Sequence, residues 1–170
     1  DLPGSKKALL SLEQFLSGQT SAQNDYRVML AADNPSKKPF LHHFSESTYG
    51  EPIEHFIFEG RRYSRSALNY LLGLAFLKKH IGKDVPRTVL EIGGGFGSLG
   101  EVLGSSGIDG LRYIDIDIPP TSFVAQNYLR NIFGQNSVLG YAQTQKISKI
   151  LISDLPSFSV LCSWQIPKLE

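Results

Sequence analysis

The residues with the clearest chemical potential are a glycine run and the acidic residue just before it. The run reads Glu91-Ile92-Gly93-Gly94-Gly95-Phe96-Gly97 and follows a short apolar segment. Glycine has no Cβ and tolerates positive φ, so such a loop lets backbone N–H groups and the positive end of a following helix approach a ligand closely. The run therefore predicts a nucleotide-shaped binding site.

Two nucleotide ligands compete for this loop. Residues 95–100 satisfy the dinucleotide pattern G-x-G-x-x-G, which alone is a weak signal. Glu91, however, precedes Gly93 by two positions, where a dinucleotide-binding strand runs apolar into its first glycine. A carboxylate there attracts the sulfonium and ammonium groups of S-adenosylmethionine (SAM) and repels the pyrophosphate of NAD. Residue 91 therefore favours SAM, and an NAD(P)-dependent oxidoreductase remains the alternative.

A second acidic site ends the next apolar run, at Asp115-Ile116-Asp117. Asp117 follows Gly97 by 20 residues, a spacing at which an acid can accept hydrogen bonds from both ribose hydroxyls. Side chains alternate along a strand, so Asp115 and Asp117 share one direction. We expect Asp117 to bind the ribose and Asp115 to hydrogen-bond the loop. The alternative for Asp117 is a helix cap before the two prolines that follow.

The segments around these acids predict a parallel α/β sheet. A strand over 88–92 leads into the glycine loop, and Ser98 with Glu101 has the spacing of a capping box for the next helix. A second strand over 111–116 precedes a helix that Pro119-Pro120 opens and Gly134 closes. This βαβα order is typical of parallel sheets. Three short apolar runs stay unassigned: 137–141, 149–152 and 159–162.

The N-terminal half predicts helices and an irregular segment over 40–60. Residues 5–16 form a helix with one apolar stripe, and a second helix over 24–32 follows a polar turn at 18–23. Ser64 is the expected cap of a third, largely buried helix that ends near His80. The stripe consists of Leu9, Leu12, Phe15 and Leu16. We therefore divide the chain into an N-terminal helical cover, residues 1–82, and a nucleotide-binding domain, residues 83–170.

The composition and charge of the chain indicate a globular domain and limit the partners that it can bind. The 170 residues are 41% hydrophobic, with 17 basic against 16 acidic residues, so no footprint for nucleic acid or anionic lipid exists. The longest apolar stretch, 67–77, is too short to span a bilayer. Cys162 is the only cysteine and the chain has no basic-then-apolar leader, so we expect a cytoplasmic protein without an intrachain disulfide.

The remaining reactive side chains are interpreted as structural residues and not as parts of a binding or catalytic site. The histidines of the irregular segment 40–60 could supply a base or a metal ligand, but nothing fixes their spacing to each other, so we interpret them as loop residues and predict no metal site. His80 is interpreted as a charge at a helix end and Cys162 as a small buried residue. Tyr63, Tyr70 and Trp164 are expected in the core. The histidines concerned are His42, His43 and His55.

Several segments resemble the sugar O-methyltransferases, a class I SAM-dependent group, over roughly residues 49–169. The specific part is Asp-x-Pro-Pro-Thr at 117–121 followed by Ala-Gln-x-Tyr-Leu at 125–129; the glycine motif and 164–167 also match. The resemblance implies transfer of the SAM methyl to a hydroxyl of a sugar or glycoconjugate, with a base or metal to activate it. It implies cofactor contacts at Glu91, Gly93, Gly95 and Gly97, ribose contacts at Asp117 and adenine contacts at Ile118.

The same resemblance predicts an incomplete Rossmann-like three-layer αβα domain. A complete class I core has seven strands, whereas the stretch after residue 88 has room for about three. We expect the missing strands to leave an open sheet edge through which the chain self-associates. A non-catalytic scaffold that keeps the fold without turnover is the other alternative function.

Overall fold

The structure, a computed structural model, describes residues 5–81 and 85–170. Its helices are α1 Ser5–Leu16, α2 Gln19–Ala32, α3 Arg65–His80, α4 Ser98–Gly104, α5 Thr121–Phe133 and α6 Tyr141–Thr144. Its strands are β1 Phe56–Phe58, β2 Arg61–Tyr63, β3 Thr88–Ile92, β4 Arg112–Asp117, β5 Val138–Leu139 and β6 Phe158–Cys162. Three short 3₁₀ turns complete the described elements: Gln135–Ser137, Ile152–Asp154 and Ser163–Lys168. The predicted domain boundary at residue 82 lies outside the described residues.

A four-stranded parallel sheet flanked by helices organises the C-terminal half. The strand order is β3-β4-β6-β5, so β3 forms one edge. The α/β class predicted from the βαβα pattern is confirmed by this sheet. The run 159–162 belongs to β6 and the run 137–141 to β5 and α6, whereas 149–152 contributes only a single bridge between Ile150 and Leu169.

The two faces of the sheet are covered by different elements. Alternate side chains of β4 and β6 point to opposite faces, and residues 113–116 of β4 and all of β6 are buried. Tyr113 and Val160 pack under α4 and α5, with Ala125 and Leu129 above them. On the opposite face the core cluster comprises Ile114, Ile116, Ile150, Leu155 and Leu161. Both faces of the central strands are therefore buried.

A second core lies between α2, α3 and the β1–β2 hairpin. Tyr26 and Met29 of α2 pack against Leu68 and Leu71 of α3. Ser64 caps α3 as predicted, because its hydroxyl accepts from the Ala67 N–H at 3.1 Å. Val102 of α4 belongs to the same cluster, so this core is continuous with the start of the sheet region.

Two N-terminal expectations need correction. The limits of α1 match the prediction, but Leu12, Phe15 and Leu16 of its apolar stripe are open to solvent, at 53%, 68% and 73% exposed. The predicted turn at 18–23 is wrong: Ser17 and Gly18 alone, Gly18 with φ +76°, connect α1 to α2, which begins at Gln19. The polar residues after Gly18 form the solvent-facing side of the first turn of α2, whose inner side is the buried Ala22.

Lys78 fastens the loop after α2 to α3. Its ammonium is buried, pairs with Asp33 and donates to the carbonyls of Asn34 at 3.0 Å and Pro39 at 2.9 Å. His42 Nδ1 lies 2.5 Å from the same Asp33 carboxylate. Burying a lysine is costly without such partners, so this network holds the N-terminal core against α3. Within 5–81 and 85–170, no helix combines the length and the apolar character that crossing a membrane requires.

Candidate functional site

The glycine loop joins β3 to α4 at the carboxyl end of the sheet, where ligands bind in open α/β folds. Gly93, Gly95 and Gly97 have φ angles of +77°, +63° and +86°, which other residues rarely adopt. The Gly93 N–H donates to the Ile116 carbonyl at 2.8 Å, which anchors the loop to β4. All three predicted glycines therefore hold conformations that need glycine.

The predicted capping box at the start of α4 is wrong. Gly97, in the left-handed conformation, occupies the N-cap position, and Ser98 is the first helical residue. Glu101 turns away from the helix start, because its buried carboxylate accepts from the Ser47 N–H at 2.7 Å and from the Tyr128 hydroxyl. The acidic residue thus ties three segments together instead of capping its own helix.

Glu91 lies below the glycine loop and is held by two tyrosines. Its carboxylate accepts from the Tyr70 hydroxyl at 2.9 Å and from the Tyr113 hydroxyl. Burial, and then the hydrogen bond to Glu91, raise the pKa of Tyr70 to about 12. Burial also raises the pKa of Tyr113, with the charges of Asp115 and Glu91 adding to the effect. Both phenols therefore stay protonated as donors, which fixes the position of the Glu91 carboxylate.

Asp115 is a fully buried carboxylate beside the loop. Neither of its oxygens has a hydrogen-bond partner among the described residues. Burial, followed by the charges of Glu91 and Asp117, raises its pKa to about 7, although the nearby Gly94 N–H acts in the opposite direction. A Cβ at Gly94 would collide with this carboxylate, so the loop backbone lies directly against it. Asp115 is thus a buried carboxyl group under the loop, and of the groups that shift its pKa only the Gly94 N–H favours its charged form.

Asp117 holds the other side of the loop. Its Oδ2 accepts from the Gly95 N–H at 3.0 Å and its Oδ1 from the Ile118 N–H at 2.7 Å. Its interpretation as a helix cap is wrong, since Pro120 is the N-cap of α5 and no side chain caps it. Asp117 thus makes a hydrogen bond to the loop, and the Gly94 N–H next to it favours the charged form of Asp115, the acid of which we expected a loop contact. Its ribose contact stays a prediction.

Aromatic and apolar side chains lie exposed after the strands of the same sheet. Ile118, the residue predicted to flank adenine, is 58% exposed directly after β4. Trp164 follows β6, is 52% exposed and makes an edge contact with Tyr141 at a ring-centroid distance of 5.6 Å. The expectation that Trp164 lies in the core is wrong, whereas Tyr63 is fully buried as expected.

Two cavities of about 250 and 260 Å³ lie beside the loop and share a wall. The shared residues are Tyr49, Gly50, Phe96 and Tyr128. The first cavity also contains Glu46, a residue that the sequence patterns did not single out. Glu46 lies in a segment without periodicity, so no local signal marks it. Neither cavity is lined by Asp117 or Ile118.

Glu46 is a second buried carboxylate close to the loop. Its oxygens accept from the Ser64 hydroxyl at 2.9 Å and from the Ser64 N–H. Burial raises its pKa, the Ser64 hydrogen bonds lower it, Glu101 raises it and His55 lowers it, in that order of size. His55 Nε2 lies 3.8 Å from Glu46 Oε2. Of the three loop histidines, His55 is therefore the one beside a cavity residue.

Cys162 and His80, the other reactive side chains considered from the sequence, contact neighbouring side chains and do not line either cavity. Cys162 is buried and its thiol lies 3.8 Å from the Ser122 hydroxyl, as its interpretation as a small buried residue required. His80 is the last residue of α3 and packs against Phe76. In the part of the chain that the structure describes, no three His, Cys, Asp or Glu side chains converge as a metal-binding group.

Comparison with known proteins adds no relative. No family model, no curated protein and no solved structure matches this chain.

Proposed function

We propose that this chain binds SAM over the glycine loop and serves methyl transfer to a hydroxyl group. The observation that carries the proposal is the buried Asp115 carboxylate, whose pKa is shifted by two other acids and by no cation, under a loop of left-handed glycines. Glu91 and Asp117 lie close enough to raise its pKa, so three acids surround one loop. A loop in such a negative field suits a cationic ligand.

The charge of the site separates the two nucleotide alternatives. SAM carries a sulfonium and an ammonium, whereas NAD carries a pyrophosphate. The charged side chains that shift the Asp115 pKa are Glu91 and Asp117, with no lysine or arginine among them. An anionic pyrophosphate placed on this loop would meet two or three carboxylates, at a cost that helix N–H groups only partly offset. The negative charge of these carboxylates therefore favours SAM over NAD.

The sheet is compatible with a Rossmann-like class. The three longest parallel strands stand in the order β6-β4-β3, which is the 3-2-1 order of one mononucleotide-binding half when β3 is counted as strand 1. In such folds the ligand lies at the carboxyl end of strand 1, at the point where the strand order reverses. The glycine loop follows the carboxyl end of β3, which is an edge strand of this sheet.

The chain's own residues would divide the work as follows. The N–H groups of the glycine loop and the Glu91 carboxylate hold the methionyl part, Asp117 accepts from the ribose hydroxyls, and Ile118 covers one face of the adenine. When bound, SAM supplies an electrophilic methyl group. The resemblance to sugar O-methyltransferases makes a sugar or glycoconjugate hydroxyl the proposed acceptor.

Calorimetric titration tests the proposal. SAM and S-adenosylhomocysteine should bind and NADH should not. Glu91→Gln and Asp117→Asn should each weaken S-adenosylhomocysteine binding at least about tenfold, because each removes a charged hydrogen-bond acceptor. Asp154→Asn, a matched change at an exposed acid away from the loop, should leave the affinity unchanged. Binding of NADH in place of both adenosyl ligands would overturn the proposal.

A further inference from the structure

The cavity of about 250 Å³ beside Phe96 lies at the junction of four segments. Its walls come from the loop 46–52, the start of α3, the glycine loop with the first residue of α4, and α5. The lining residues are Glu46, Tyr49, Gly50, Pro52, Ser64, Ser66, Phe96, Ser98 and Tyr128. Phe96 belongs to the glycine loop itself, so a ligand in this cavity would lie next to whatever the loop binds.

The lining of the cavity suits an uncharged ligand that carries hydroxyl groups. It contains one carboxylate, three serines and two tyrosines, and no lysine, arginine or histidine. Hydroxyl donors of a ligand can bind the carboxylate, and its C–H surface can pack on Tyr49 and Phe96. An anion is disfavoured, because burial and, to a smaller extent, the nearby Glu101 charge already raise the pKa of Glu46. A phosphate would find no cationic partner in this lining.

Glu46 is the group in this cavity with acid–base chemistry. Ser64 holds both carboxylate oxygens, one through its hydroxyl at 2.9 Å and one through its N–H. The carboxylate is therefore fixed before any ligand arrives, which is what a positioned base requires. Burial raises the pKa of Glu46, with a smaller rise from the Glu101 charge, and it outweighs the Ser64 hydrogen bonds and His55, which lower this pKa. A carboxylate with a raised pKa is a stronger proton acceptor near neutral pH.

We propose that this cavity receives the acceptor hydroxyl and that Glu46 takes its proton. The inference rests on the proposed methyl transfer. The acceptor oxygen forms a bond to the methyl carbon while the methyl–sulfur bond breaks, with its electron pair going to sulfur. The hydroxyl proton moves to the Glu46 carboxylate. The products are a methyl ether, the neutral thioether S-adenosylhomocysteine and a protonated Glu46, so charge and atoms balance.

Ligand binding is tested first, by saturation-transfer NMR on the whole chain with S-adenosylhomocysteine present. The probes are the methyl α-D-pyranosides of glucose, galactose and mannose. At least one should receive saturation from the wild-type chain. Ser66→Trp, which fills the cavity from the exposed first turn of α3, should lower that signal at least about tenfold. Asn69→Trp, which places the same bulky side chain at an exposed α3 position outside the lining, should keep the saturation-transfer signal.

The role of Glu46 is tested by turnover. With SAM and the bound pyranoside, Glu46→Gln should form S-adenosylhomocysteine at least about a hundredfold more slowly than the wild-type chain. Its saturation-transfer signal should persist, since Gln keeps a hydrogen-bonding oxygen. Glu54→Gln, an exposed acid in the same segment, is the matched control and should keep the wild-type rate.

The outcomes separate this inference from the proposed function. If S-adenosylhomocysteine binds but no pyranoside receives saturation, or if Ser66→Trp leaves the signal unchanged, the cavity assignment is wrong and the cofactor proposal stands. If the pyranoside binds in the cavity and S-adenosylhomocysteine does not bind, the proposed function fails. A wild-type chain that binds both ligands without turnover, or a Glu46→Gln variant with the wild-type rate, overturns the role of Glu46 as base.

Discussion

Strands β3 and β6 have five residues each and lie in one parallel sheet, yet they differ in burial. Every residue of β6 is buried and no residue of β3 is. β6 has a neighbouring strand on each side, whereas β3 is an edge. Leu90 and Ile92 are in register with the buried Ile114 and Ile116 but are themselves 43% and 70% exposed. The strand that leads into the candidate site therefore contributes least to the core.

Matched leucine truncations measure this difference most directly. Leu161→Ala in β6 should lower the free energy of unfolding by about 2 to 5 kcal/mol, because the side chain is fully buried and leaves a cavity. Leu90→Ala in β3 should cost less than about 1 kcal/mol, since water already reaches the side chain. Urea unfolding followed by circular dichroism gives both values. Equal losses would show that the edge of β3 is covered in solution.

The pH dependence of stability tests the buried acid on β4, the strand between β3 and β6. Folding raises the pKa of Asp115 from 3.8 to about 7. Between these values the folded chain binds a proton that the unfolded chain lacks, so stability falls as pH rises from about 4 to about 7. Asp115→Asn should remove this loss and raise the free energy of unfolding at pH 8 by up to about 4 kcal/mol.

Unfolding titrations at pH 5 and pH 8 check this prediction. The wild-type chain should be less stable at pH 8 than Asp115→Asn, and the gap should narrow at pH 5. Asp154→Asn, at an exposed position, serves as the control and should show the wild-type pH dependence. A variant that loses stability at pH 8 would mean that the Asp115 carboxylate has a favourable partner in the folded chain.

The open edge of β3 gives a smaller and reversible effect. We expect the chain to self-associate through this edge, where backbone groups and exposed apolar side chains meet. Ile92→Lys should shift the weight-average mass toward the 18.8 kDa of one chain, because the charge opposes pairing of two apolar edges. Ile53→Lys changes an equally apolar, fully exposed residue outside the sheet and should leave association unchanged. Light scattering over a concentration series distinguishes the two, and a monodisperse wild-type monomer contradicts the expectation.

Patterns that depend on neighbours in sequence were readable without the structure. Strand β3, helix α1 and the Ser64 cap of α3 have the predicted limits, since periodicity, caps and turn residues are local. The glycine positions also match, because positive φ is a local requirement. These features depend on the chain within a few residues.

Patterns that depend on contacts between distant segments were not readable. Ser98 and Glu101 have capping-box spacing, but the Glu101 carboxylate instead accepts hydrogen bonds from Ser47 and Tyr128, which lie 54 and 27 residues away in sequence. Glu46 entered the site only through Ser64 and the cavity. The sequence identified both Asp115 and Asp117 as site residues. Which of the two lies against Gly94 and which accepts the hydrogen bond from the Gly95 N–H depends on how β3 positions the loop over β4.

Because Cys162 is buried in the sheet, chemical labelling of its thiol measures how often this part of the fold opens. It is the only cysteine, its side chain is buried between β6 and α5, and it ends the most protected strand. A thiol reagent can reach it only when α5 lifts from the sheet or the whole domain unfolds. The rate of labelling therefore follows the population of that open state, and a ligand that closes the glycine loop against α5 would slow it without any change in the cysteine.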